Sequence, residues 1–187
     1  IASSACLQGK IPRLILSNRI DEAEKTALFY QDIFGKGSFY LELQNHPNLE
    51  EQKKVNKVLV SISKKLKIPL IATNDSHYLK PEDAKAQDIL MLINTGANLS
   101  DPERLTLIGD DFSLKSPEQM IEDFKEYPEA IENTQKIVDL CQFEFDLGKV
   151  KLPKFEVPTQ ETPEKYLRGL CLEGVKKRYG PKPRKEI

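Results

Sequence analysis

The sequence predicts an α/β fold in which neighbouring strands run parallel. Two apolar segments rich in β-forming residues, 38–43 and 69–73, are separated by an amphipathic helix pattern over 49–67. The opening residues 1–7 have the composition of the end of a further strand. A strand–helix–strand order implies parallel neighbours, because the helix returns the chain to the edge from which the first strand began.

Helical periodicity accounts for much of the chain around these strands. The segment 21–34 repeats apolar residues at close to helical spacing, with Asp21 as its expected N-cap and a Gly-Lys-Gly turn ending it. A further helix is expected to begin at Pro81, because proline has the backbone angle of a first helical turn and needs no hydrogen bond there.

Three more helices are expected towards the C-terminus. Ser116, followed by proline and glutamate, predicts a helix start, and that helix should end near Tyr127. Pro128 predicts the next helix, which should continue to Cys141. Thr162 predicts the cap of a last helix. The proline-rich stretch 152–158 indicates a linker, and the change of composition near Gly148 marks a candidate domain boundary.

Composition limits the classes of function. The 187 residues are 39% hydrophobic and 30% charged with a net charge of −1, which is typical of a soluble globular protein without a strong global field. The basic, proline-rich tail 176–185 is interpreted as a solvated helix end and linker. No run is apolar and long enough to span a bilayer. Because Ile1 is not an initiator methionine, we expect a fragment of a larger protein.

Three cysteines, Cys6, Cys141 and Cys171, are far apart in the sequence. They form no Cys-x-x-Cys pair and are odd in number, so neither a zinc knuckle nor a disulfide framework is expected. A reducing cytoplasm fits this usage. Cys141 and Cys171 fall on apolar helical faces and are predicted to be core thiols, and Cys6, judged alone, would be an ordinary buried thiol.

The most informative motif is ATNDSHY at 72–78, directly after a buried strand. Asp75 and His77 lie two residues apart at the strand's C-terminal end, so they point to the same side. Their oxygen and nitrogen atoms suit a divalent metal. The alternative is a strand-end turn in which the carboxylate accepts backbone hydrogen bonds. His46 and His77 are the only two histidines, so this chain alone cannot supply a multi-histidine site.

His46 follows the other strand, at the same edge as Asp75. Two interpretations are open: it orients the ligands or faces a phosphate, or it is a histidine of a surface loop ahead of a proline turn. The surface-loop interpretation is preferred on sequence alone.

An ordered set of motifs resembles one protein family, the family C replicative DNA polymerases of bacteria, which are DNA polymerase III alpha subunits. The match runs from about residue 3 to Gly180. The pieces are ACLQG at 5–9, IPRL at 11–14, FYLELQNH at 39–46, IPLIATNDSHY at 68–78, YPEAIENT at 127–134, LGK at 147–149 and LPKF at 152–155. Each is weak alone, whereas their order is specific.

The resemblance implies a polymerase-and-histidinol-phosphatase (PHP) domain, a distorted (β/α)7 barrel. Residues 1–148 would form its C-terminal part, and 149–187 a mainly helical linker and the start of the palm. Intact family sites hold divalent metal, here Zn²⁺, Mn²⁺ or Mg²⁺, and the ligands map onto Cys6, Asp75 and His77. His46 and Asn74 are candidates to contact these ligands and orient them. The earlier ligands would precede Ile1, and the polymerase aspartates would follow Ile187. The chain departs from the family at Ala5, which is usually glycine.

The resemblance also implies functions. The parent would be a DNA-directed DNA polymerase, a nucleotidyltransferase of DNA replication, acting with a DNA primer-template, a sliding clamp and other replisome subunits in the cytoplasm. Its PHP site would perform 3′–5′ exonuclease or phosphoesterase chemistry, with the metal ions activating a water. The alternatives are a non-catalytic PHP scaffold that braces the polymerase and binds a proofreading exonuclease, and a free-standing PHP phosphatase.

Overall fold

A computed structural model describes residues 1–150, 152–158 and 161–181. The chain divides into two units, Ile1–Gln142 and Phe143–Ile187. The expected boundary between a PHP part, 1–148, and a linker with the start of the palm stays a prediction. The basic residues at 182–185 lie outside the described part.

The first unit is built on a parallel sheet of three strands, which confirms the α/β class and the parallel arrangement. The strand order follows the sequence: β1 (Ala2–Ser3), β2 (Phe39–Gln44) and β3 (Leu70–Thr73). Ala2 pairs with Phe39, and Leu41 pairs with Leu70. Because the strands are parallel, their C-terminal ends lie at one edge of the sheet, which we call the rim.

Helices connect the strands and continue beyond the sheet. The first three are α1 (Lys10–Leu16), α2 (Ile20–Phe34) and α3 (Glu50–Leu66). A short 3₁₀ turn (Pro81–Asp83) leads into α4 (Ala84–Thr95), followed by α5 (Pro117–Asp123) and α6 (Pro128–Leu140). In α5 the Ser116 hydroxyl accepts the backbone N–H of Gln119, so this predicted cap is confirmed.

The two faces of β2 have different roles. Phe39, Leu41 and Leu43 are buried in the hydrophobic core with side chains of the helices. On the opposite face, the carboxylate of Glu42 accepts hydrogen bonds from the hydroxyls of Ser3 and Thr73, which belong to β1 and β3. This polar link spans the three strands, so it holds their register and aligns their ends at the rim.

The helices differ from the sequence prediction at several positions. Helix α2 already includes Ile20, and Arg19 occupies the N-cap, so Asp21 lies in the first turn, where a carboxylate favours the positive end of the helix. Helix α5 ends at Asp123, and Tyr127 instead donates its N–H to Phe124 in a separate turn. The sequence pattern did not predict helix α1, which contains a proline and spans only seven residues.

The second unit contains one helix among the described residues, α7 (Pro163–Tyr179). Its predicted cap is confirmed, because the Thr162 hydroxyl accepts the N–H of Lys165. Cys171 on α7 and Cys141, which follows α6, are both exposed, so their prediction as core thiols is wrong. Cys141 lies past the last helical turn, and no residue of α7 is buried. Across the described residues, no helix is long and apolar enough to cross a membrane.

Candidate metal centre

The candidate residues follow the C-terminal ends of three adjacent strands. Cys6 comes after β1, His46 after β2, and Asp75 with His77 after β3. In a parallel sheet these ends share one edge, where the loops of α/β proteins carry binding sites. The structure therefore places Cys6, His46, Asp75 and His77 after the strand ends at the rim.

Asp75 lies between two imidazoles. Its Oδ1 is 3.4 Å from Nε2 of His77, and its Oδ2 is 3.6 Å from Nε2 of His46. The pKa of Asp75 lies below its ordinary value, chiefly because His46 faces the carboxylate, while burial opposes this shift and His77 adds to it. The 3.6 Å between His46 and Asp75 is slightly longer than a hydrogen bond, so the two side chains would have to move closer to form one.

His46 is the most buried polar side chain of this group. The residue is 3% exposed, and its ring stacks on Phe112 with centroids 4.1 Å apart. Among the described residues, neither ring nitrogen has a hydrogen-bond partner. Such a buried, unpaired donor or acceptor is costly and needs an explanation. The preferred interpretation of His46 as a surface-loop histidine is wrong, because Phe112 covers the loop.

Asn74 connects the end of β3 to a distant segment. Its Nδ2 donates to the carbonyl of Ser113 at 2.8 Å, and its Oδ1 accepts the N–H of Lys115 at 2.7 Å. Both polar atoms are thus used to hold the backbone immediately before Asp75. The Asn74 amide therefore positions the loop that carries Asp75.

Cys6 is half-buried in a turn between β1 and α1. Gly9 closes this turn by donating its N–H to the Cys6 carbonyl, and a Cβ at Gly9 would collide with the carbonyl of Ser4. Ala5 has a left-handed backbone with φ of 60°, a conformation that glycine adopts without strain. Among the described residues, the Cys6 thiol makes no hydrogen bond, and no group of three or more His, Cys, Asp or Glu side chains is arranged to hold a metal.

No sequence pattern indicated Phe112, whose ring contacts both imidazoles. Its ring lies 5.6 Å from that of His77, nearly perpendicular to it at 85°, in addition to its stacking on His46. Phe112 lies in a segment without helical or strand periodicity, so no local signal indicated its role.

The PHP domain family model matches residues 1–46 of the chain. Over 96% of its length the chain is similar to bacterial proteins named DNA polymerase III subunit alpha. Identities are 46% for Borreliella burgdorferi, 41% for Treponema pallidum and 38% for Thermus aquaticus. The resemblance to this polymerase family is thereby confirmed. The chain spans about 16% of the first relative and 15% of the other two.

Proposed function

We propose that this chain is a segment of the catalytic alpha subunit of a bacterial replicative DNA polymerase. Residues 1–148 would be the C-terminal part of a (β/α)7 PHP barrel, and 149–187 the linker and start of the palm. The observation that carries the proposal is similarity to alpha subunits over 96% of the chain, which includes both units. That extent disfavours a free-standing PHP phosphatase, since the similarity continues well past the sheet.

The complete polypeptide would synthesise DNA on a primer-template in the cytoplasm, together with a sliding clamp and other replisome subunits. The names of the relatives support this assignment. The polymerase chemistry would belong to aspartates outside this segment. The contribution of the segment itself would be made at the rim.

At the rim we propose that Asp75 and His77, with Cys6, hold a divalent ion, Zn²⁺, Mn²⁺ or Mg²⁺. Carboxylate, imidazole and thiolate are ligands that zinc prefers, and the first two also suit manganese. The unpaired nitrogens of His46 beside the Asp75 carboxylate support a site that is completed by a further group. These three residues would supply only part of the ligands of a metal site. The remaining ligands would come from the upstream part of the PHP domain.

The chain's own residues would prepare this site in different ways. His46, held by its stacking on Phe112, would orient Oδ2 of Asp75, and Asn74 would hold the backbone before it. His77, with a side chain 40% exposed, would remain accessible to a nucleic-acid substrate. A divalent ion bound there would supply Lewis-acid chemistry for phosphodiester hydrolysis, the basis of a 3′–5′ exonuclease activity.

A second candidate is a non-catalytic scaffold that stabilises the polymerase and binds a proofreading exonuclease. One observation favours it: within the described residues, no three ligand side chains are arranged around a common point. In that case Asp75 and His77 would serve only the packing of the rim.

Metal analysis of the complete polypeptide separates the two candidates. Wild type, Asp75→Asn and His77→Ala would be purified without chelator, and bound Zn, Mn and Mg measured by mass spectrometry. Asp32→Asn is a matched control, because Asp32 is an exposed carboxylate near the end of α2. Loss of metal in both rim variants but not in the control supports the metal site. Equal metal content in all four proteins supports the scaffold.

A further inference from the structure

We propose that the segment 110–115, which we call the clasp, positions Asp75 and His77, and that Phe112 is its principal positioning residue. The inference rests on the proposed metal role of these two residues. The clasp is distant in sequence from both strand-end loops, yet it contacts each of them.

The clasp binds the loop after β3 along its length. His77 donates its N–H to the carbonyl of Phe112 at 2.8 Å, and Leu114 donates to the carbonyl of Tyr78 at 3.0 Å. The Tyr78 hydroxyl accepts the N–H of Phe112 at 2.9 Å. Together with the two bonds of Asn74 to Ser113 and Lys115, these contacts flank Asp75 on both sides.

The clasp also binds the loop after β2. Asn48, two residues after His46, donates its N–H to Oδ2 of Asp110 at 2.7 Å. The carboxylates of Asp110 and Asp111 accept the N–H groups of Asp111 and Ser113, respectively, which shapes the clasp itself. The clasp is thus hydrogen-bonded to the loops that follow two neighbouring strands, β2 and β3.

Asp75 needs such support because its backbone is left-handed. Its φ is 55°, a left-handed region that is unfavourable for a non-glycine residue. This backbone turns the carboxylate between the two imidazoles. The hydrogen bonds at Asn74, His77 and Tyr78 compensate for that cost, so loosening the clasp should release Asp75 from this conformation.

Phe112 acts through its ring as well as its backbone. The ring is face to face with His46, at 27° between planes, and nearly perpendicular to His77. The ring therefore holds the imidazole of His46 by stacking and limits the position of the His77 imidazole by an edge contact. Residues that orient metal ligands typically contribute about 10- to 100-fold to metal affinity.

The test uses the 187-residue chain, whose only two histidines are His46 and His77. Imidazole ¹⁵N NMR would record both rings, and titration with Zn²⁺ alone would give its affinity. The variants are Phe112→Leu and the milder Tyr78→Phe, which removes only the hydroxyl. Phe39→Leu is the control, because Phe39 is 1% exposed and begins β2 at the edge opposite the rim. Urea unfolding would measure the stability of each protein.

We expect Phe112→Leu to change the signals of both histidines and to weaken Zn²⁺ binding by about tenfold or more. Tyr78→Phe should act in the same direction with a smaller effect, which keeps the test decisive if Phe112→Leu fails to fold. Phe39→Leu should lower stability but leave histidine signals and zinc affinity unchanged.

The outcomes separate a failure of the clasp from a failure of the metal site. Wild-type histidine signals and zinc affinity in both clasp variants would overturn the clasp, as would equal losses in the Phe39→Leu control. A wild-type chain that binds no Zn²⁺ would argue against a metal site formed by Asp75, His77 and Cys6 without the upstream ligands. If Phe112→Leu still altered the histidine signals in that chain, the positioning role would stand without the metal.

Discussion

The Nε2 atom of His46 lies 3.6 Å from Oδ2 of Asp75, so the ends of β2 and β3 are joined by a buried imidazole and a partly exposed carboxylate. The two residues differ in their cost to the fold. His46 is enclosed without a hydrogen-bond partner among the described residues, whereas Asp75 keeps a quarter of its side chain exposed. His46 is therefore expected to act on the neighbouring Asp75 carboxylate and to contribute little to stability.

The variant His46→Phe tests that expectation. Phenylalanine keeps the stacking on Phe112 but has no ring nitrogen to bury unpaired, and such an atom costs about 1–3 kcal/mol. The free energy of unfolding should therefore stay equal or rise. The pKa of Asp75 should rise towards its ordinary value, because its main stabilising neighbour is removed. Urea unfolding and ¹³C NMR of the carboxyl group measure both effects. A clear loss of stability would show that the ring nitrogens of His46 have hydrogen-bond partners in solution.

The variant His77→Ala separates the two activities proposed for the complete polypeptide. Exonuclease activity should fall strongly, because an exposed imidazole beside Asp75 is removed from the rim. Primer extension should remain near the wild-type level, since the polymerase aspartates would lie elsewhere. Both activities would be measured on one labelled primer-template, with Asp32→Asn as control. A parallel loss of both would indicate a structural role for His77.

The 187-residue chain by itself should not extend a primer. Polymerase phosphoryl transfer uses paired carboxylates that hold two metal ions, and the chain has no Asp-x-Asp pair. Extension assays with the purified chain, compared with a mock preparation, test this directly. Synthesis above the mock preparation would contradict it.

The substitution Gly9→Ala should disturb the turn that carries Cys6. The new Cβ would overlap the Ser4 carbonyl, and relieving such an overlap typically costs about 1–3 kcal/mol. Gly109→Ala is the control, because no atom lies within 4 Å of its Cβ position and its φ is not left-handed. Thermal unfolding of both variants measures the difference. Equal stability would show that the turn adjusts without cost.

Acid should destabilise the chain partly through Asp88. Arg104 donates two hydrogen bonds to Asp88, at 2.6 and 2.9 Å, and Thr106 donates a third at 2.7 Å, so the pKa of Asp88 lies below its ordinary value. A lowered folded-state pKa stabilises the fold above the unfolded value of about 3.9, and this stabilisation is lost as pH falls through the folded value.

The matched variant is Asp88→Asn. It should be less stable than wild type at pH 7, and it should lose less stability between pH 5 and pH 3. Unfolding curves across this range measure the slope, with the exposed Asp32→Asn as control. An unchanged slope in Asp88→Asn would assign the acid sensitivity to other carboxylates.

Local sequence determined the elements that position the rim. Alternating and helical patterns placed two strands and most helices within a few residues, because burial on one face imposes a period on the chain. The strand–helix–strand order implied parallel strands, and Asp75 with His77 followed directly from the end of one of them. The motifs also indicated the polymerase family, which the relatives confirm.

Only the tertiary structure decided how the rim is assembled. His46 was expected at the surface, but Phe112, far along the chain, covers it. The clasp has no period of its own, and its contacts with Asn74 and Tyr78 depend on the path of the intervening chain. Local patterns report which face of an element is buried. They carry no information about which distant segment will form hydrogen bonds with a strand-end loop. In this protein the hydrogen bonds between the clasp and the loop after β3 are proposed to position Asp75.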